Sequence, residues 1–138
     1  MYQRSFIERG TDEDVGYIFY QKNRGKNEKY FLNLLMNIEV IQSLYRTAKI
    51  KWSAHCLERM QERDISIDDV GNCIMSGEII ESYPNDFPHP SCLIFGYTIH
   101  HKVLHTVVGY DGKDLHIITA YYPNTIKFME DLKTRRNK

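Results

Sequence analysis

Two periodicities divide the chain. From Met36 to Gly77 apolar residues recur every three or four positions, and beyond Gly77 they alternate with polar ones. In "MNIEVIQSLYRTAKI", Ile38, Ile41, Leu44 and Tyr45 fall on one helical face, which predicts a first helix. Trp52 and Ser53 open a second, with Ser53 as its N-cap and Trp52 placed to meet Leu57 as a hydrophobic staple. A third follows in "DISIDDVGNCIMSGE". There Ser66 caps, Ile65 can staple to Val70, Asp68 and Asp69 suit the first turn, and Gly77 can end the helix. Four alternating runs come next: "EIIESY", "CLIFGYTI", "VLHTVVGY" and "DLHIITAYY". Asp111-Gly112 is a hairpin signal between the last two, and "HHK" at 100–102 can turn the pair before them. Pro123 stops the final strand, and Asn124 or Thr125 can cap a terminal helix, "IKFMEDLKTRRNK". The expected fold class is α+β: N-terminal helices, a four-stranded antiparallel meander sheet, and a C-terminal helix.

Residues 1–35 read differently. They hold one strand-like run, "GYIFY", and a polar stretch rich in Lys, Asn and Gly, with no motif. They are either an N-terminal extension before a domain spanning 36–138, or a strand or arm added to that domain.

Composition narrows the function classes. The 138 residues suit one domain with or without an appendage, and 42% apolar residues are enough for an ordinary core. Eighteen basic and eighteen acidic residues cancel, so no global positive field marks a nucleic-acid binder. The distribution is uneven, however. Residues 58–86 carry eight acids against two arginines, whereas residues 127–138 carry five bases against two acids. Cys56, Cys73 and Cys92 are odd in number and widely spaced, so reduced thiols, no disulfide and a cytoplasmic setting are expected. No apolar run approaches the roughly 20 residues that cross a bilayer, so no membrane partner is expected. The six histidines and three cysteines show no close ligand pair of the zinc type, so no metal is expected. Phosphate-loop, dinucleotide and nucleophile-elbow motifs are absent, so no nucleotide cofactor is expected.

The sharpest candidate chemistry lies in "WSAHCLERMQERDIS". His55, Arg59 and Arg63 are spaced by four and form one stripe of the second helix, with Glu62 beside it. Guanidiniums fit phosphate bidentately and stay charged, and a nearby imidazole exchanges protons near neutrality. The plain alternative is a solvated face on which Glu58 and Glu62 pair the arginines. His105 and His116 lie inside strands among valines and isoleucines, where a half-buried structural histidine is the commoner outcome. Strict alternation groups His116 with Ile118, Ala120 and Tyr122, and groups Thr119 with Tyr121 at the strand end, where a phenol can reach a phosphate. The tail bases Lys127, Lys133, Arg135, Arg136 and Lys138 can contact RNA backbone, Lys133, Arg135 and Arg136 foremost, or simply suit a helix C-terminus.

The runs "IKWSAHCLERMQERDIS", "GEIIESYPNDFPHPSCLIFGY", "VLHTVVGY" and "IITAYYP", in this order, resemble the domain-of-unknown-function 4258 family over roughly residues 38–136. Cys56 stands where that family usually has alanine, Asp64 where it has glycine, and Thr106 where it has valine. The family is similar to the small RelE-, BrnT- and barnase-like ribonuclease toxins of toxin–antitoxin pairs. The resemblance implies a metal-independent endoribonuclease leaving 2′,3′-cyclic phosphate ends, with His55, Arg59, Arg63, His105 and Tyr121 catalytic and Thr119 on the RNA. It implies RNA, free or on the ribosome, and a cognate antitoxin protein as partners. The rival is a non-catalytic module that uses the same cationic groove to hold a protein or nucleic-acid partner.

Overall fold

The computed structural model describes residues 37–137. The "GYIFY" run and the reading of residues 1–35 lie outside them, as does Lys138. Three helices, α1 (Ile38–Thr47), α2 (Ala54–Glu62) and α3 (Ile67–Ser76), are followed by strands β2 (Glu78–Tyr83), β3 (Ser91–Tyr97), β4 (Val103–Tyr110) and β5 (Leu115–Tyr121). A short strand that helical periodicity concealed, β1 (Ile50–Trp52), lies between α1 and α2. It pairs parallel with β5, so the sheet is five-stranded and mixed, in the order β1-β5-β4-β3-β2. Trp52, read as a staple, is a fully buried residue of this strand.

The caps explain where the helices start. Ser53 accepts from the Cys56 amide, and Ser66 with Asp69 forms a reciprocal capping box. Helix α2 ends on a Schellman motif, in which the Ile65 amide bonds the Met60 carbonyl and the Asp64 amide bonds that of Gln61. Asp64 takes the left-handed position, φ 57°, which a short polar side chain tolerates. Arg63 therefore caps the helix rather than belonging to it.

Helix α3 lies against β3 and β4 at very short range. A Cβ on Gly96 would stand 2.1 Å from the Cys73 carbonyl oxygen, so only glycine fits there. Gly77 ends α3 in an extended conformation rather than a left-handed one, and a Cβ there would meet the same carbonyl at 2.5 Å. The core between helices and sheet includes Ile41, Leu44, Trp52, Ile74, Leu104 and Ile117, all fully buried. Cys56, Cys73 and Cys92 are buried free thiols, their pKa values pushed up by burial to about 11, 11 and 12. No helix among the described residues is long and apolar enough to cross a membrane.

The terminal helix is a correction. Residues 123–137 form turns closed by a bridge between Phe128 and Arg135. The side chain of Asn124 accepts from the Ile126 and Lys127 amides, Asp131 accepts from those of Lys133 and Thr134, and Leu132 turns left-handed at φ 58°. Asn and Asp side chains here compete with the helical ladder and win. The segment instead lies across the sheet face opposite the helices. Lys133 pairs with Glu78 at 2.9 Å, and Arg135 grips Glu81 with two bonds of 3.0 Å.

Two extra residues decide which side chains share that face. Ile80 in β2 and Ile118 in β5 have no partner in the ladder. Each bulge resets the alternation. The first brings Glu78 and Glu81 to one side. The second moves His116 to the side of Tyr121 and Thr119 and away from Ala120, which corrects the grouping from strict alternation.

Candidate functional site

Where β5 gives way to the C-terminal segment, a cleft of about 540 Å³ opens. Arg63, Tyr121, Tyr122, Asn124, Lys127 and Arg135 are among the residues lining it. Three sequence regions supply its cations. The α2 cap contributes Arg63, whose Nη1 donates to the Ala120 carbonyl oxygen at 2.8 Å and so ties the guanidinium to the end of β5. The turn after Pro123 contributes Lys127, and the bridge partner of Phe128 contributes Arg135, whose guanidinium carbon lies 4.7 Å from the phenyl centroid.

The cleft-lining Tyr121 is hydrogen-bonded to a buried histidine behind it. His105 is fully buried and lies opposite Tyr121 in the β4–β5 ladder. Its Nε2 is 2.7 Å from the Leu132 carbonyl oxygen, which can only accept, so Nε2 carries the proton. Nδ1 then accepts from the Tyr121 hydroxyl at 3.2 Å. Phe95 and Phe128 meet the imidazole edge-on, with centroids at 6.0 and 4.7 Å. Burial pushes the His105 pKa below the ordinary imidazole value. Burial also raises the Tyr121 pKa, against the pull of the Arg135 charge. The pair is therefore a neutral imidazole supporting a protonated phenol. Glu81 is ionised: the Arg135 bonds hold its pKa down despite burial, and the Tyr83 hydroxyl donates to it as well.

Of the residues singled out from sequence, Arg63, Tyr121 and Arg135 line the cleft, and His105 stands behind it. Arg59 points elsewhere: it pairs with Glu62 at 3.3 Å and is half exposed. His55 is exposed in the first turn of α2 and is not part of the lining. The expected convergence of His55, Arg59 and Arg63 fails: a stripe spaced by four drifts about 40° per step around the helix, and of the three only Arg63, at the C-cap, reaches the end of β5. Thr119 sits on the Tyr121 face of β5, opposite Val107, and outside the lining. Lys133 is occupied by Glu78, and Arg136 donates to the Thr125 and Phe128 carbonyls while pairing with Glu130. Asn124 and Glu81 are not among the sequence candidates for the site. Lys127 is, as one of the five tail bases, and the turn after Pro123 brings it to the cleft.

An α+β protein with a cationic, tyrosine-bearing cleft at the end of its sheet is thus the class that fold and site define. The chain belongs to the family described as Domain of unknown function (DUF4258), whose model matches residues 52–122, just over half of its length. Comparison with the curated proteins and with the solved structures finds no match in either.

Proposed function

We propose that the cleft binds the phosphodiester backbone of RNA and that the chain is a toxin-like, metal-independent endoribonuclease. One observation carries the reading: Arg63, Lys127 and Arg135, brought from separate parts of the chain, line a single cleft together with a phenol whose proton is held by a buried neutral imidazole. Guanidinium forks suit the non-bridging oxygens, and their fixed charge stabilises the transition state, where negative charge accumulates on those oxygens. The 2′-oxygen attacks phosphorus while its proton goes to solvent. The Tyr121 hydroxyl turns from His105 Nδ1 and gives its proton to the departing 5′-oxygen, and solvent then reprotonates the phenolate, which Arg63 and Arg135 offset meanwhile. The products are a 2′,3′-cyclic phosphate and a 5′-hydroxyl. His105 touches no substrate and acts as a positioning residue for the phenol. The reaction requires no metal and proceeds in chelator. By the likeness to toxin families, the expected protein partner is a cognate antitoxin that covers the cleft.

A second reading rests on the same histidine. Both ring nitrogens of His105 are engaged and burial disfavours its charged form, so the cleft lacks a ready general base. That favours a module that holds RNA without cutting it. The deciding experiment is single-turnover incubation of a defined RNA with the full chain in EDTA, with binding and cleavage read in parallel. Cleavage that is lost in Tyr121→Phe while binding survives supports the ribonuclease. Binding without cleavage supports the module, and absence of both overturns the cleft assignment.

A further inference from the structure

We propose that His89, Asp111 and His116 form a binding site for a divalent transition metal of the zinc class, separate from the cationic cleft. Linear spacing hides the set. His89 lies in the loop between β2 and β3, Asp111 in the β4–β5 turn, and His116 in β5 one register step from that turn. The Ile118 bulge gives His116 the face on which the other two gather. One ligand atom from each residue lies within 4.8 Å of the other two.

The geometry within the set is specific. Asp111 Oδ1 accepts from the Lys113 and Asp114 amides at 2.9 and 2.7 Å, which fixes the carboxylate and aims Oδ2 at His116 Nε2, 2.8 Å away. The His89 and His116 ring centroids are 5.1 Å apart. An ion pair accounts for Asp111 and His116 but leaves the second imidazole, His89, unexplained. The His116 side chain is only 4% exposed and that of Asp111 20%, so the ligands are largely stripped of water while half-buried His89 leaves an entrance. The neighbouring cation, Lys51, is offset by Asp114 at 3.0 Å.

Two imidazoles and one carboxylate suit zinc, cobalt or nickel, whereas magnesium and calcium prefer all-oxygen sets. With metal–ligand bonds of about 2.0–2.2 Å, tetrahedral donors stand roughly 3.4 Å apart. The Asp111–His116 pair, at 2.8 Å, opens by about 0.5 Å, and rotation of His89 on its loop brings its donor in from within 4.8 Å. Three protein ligands leave the fourth tetrahedral position to water. His116 and Tyr121 pair with Gly109 and His105, four ladder steps apart and roughly 14 Å, so the ion would not reach the cleft. It would clamp the β2–β3 loop onto the β4–β5 turn.

The test is Co²⁺ titration of the full, chelator-stripped chain, followed by competition with Zn²⁺. One equivalent of Co²⁺ should produce the visible absorption of a tetrahedral site, and Zn²⁺ should displace it. His89→Ala, a loop substitution that leaves the core intact, should weaken binding by at least about tenfold, and Asp111→Asn should do so as well, as expected of direct ligands. A double His100→Ala, His101→Ala variant, which removes an exposed imidazole pair elsewhere, should bind as the natural chain does. Absence of a stoichiometric tetrahedral signal overturns the proposal, and so does binding that survives His89→Ala but is lost in the double variant.

Discussion

The Tyr121 hydroxyl donates to His105 Nδ1 at 3.2 Å, across two strands, while Nε2 of the same ring donates to the Leu132 carbonyl oxygen. One imidazole thus fastens the β4–β5 ladder to the C-terminal segment and orients the phenol of the cleft. Tyr121→Phe removes the donor and leaves Nδ1 buried without one, a cost of ~1–3 kcal/mol. Cleavage should fall by ~10²–10⁴ if the phenol is the proton donor to the leaving oxygen. Urea denaturation measures the first effect and single-turnover cleavage the second.

The contrast between Arg63 and Arg59 tests the placement of the site. Arg63→Ala should weaken RNA binding and reduce the slope of log affinity against log salt by about 1, as loss of one phosphate contact does. Arg59→Ala should leave both unchanged, because its partner is Glu62 on the solvent side. Fluorescence anisotropy over a salt series distinguishes them, and equal effects would return the site to the α2 stripe.

Acid should destabilise the fold through His105. Burial lowers its pKa in the folded state from the ordinary 6.5, so below that value the unfolded chain binds more protons than the folded one. The stabilisation is complete above pH 6.5 and is lost as the pH falls toward the lower folded value. His105→Gln, which keeps a donor for the Leu132 carbonyl, should flatten this part of the stability–pH curve. Thermal melts of both proteins between pH 7.5 and 5 provide the comparison, and parallel curves would contradict it.

Gly96→Ala should be among the most damaging single-methyl changes in the sheet. The new Cβ would lie 2.1 Å from a helix carbonyl, so α3 must shift from β3. Overpacking of this kind costs ~1–3 kcal/mol or more. A lowered midpoint in urea with an unchanged slope is the expected result, and a neutral substitution would show that the helix moves freely.

The sequence by itself determined the local elements and the membership of the family. Ser53 and Ser66 announce two helices through caps that need only neighbouring amides, and the alternating runs after Gly77 become β2 to β5. These signals act over a few residues, so they are readable along the chain. It also brought Arg63, Tyr121 and Arg135 forward as candidates, though not as one group. What only the tertiary structure decided depends on partners distant in sequence. β1 is too short to show a period and exists because β5 pairs with it. The tail appears helical in composition, yet it folds into turns that cross the sheet, held by Glu78, Glu81 and His105. Most of all, the bulges at Ile80 and Ile118 each offset the two-residue alternation by one position. A single unpaired residue leaves no trace in polarity, but it moves every side chain beyond it to the other face of the sheet.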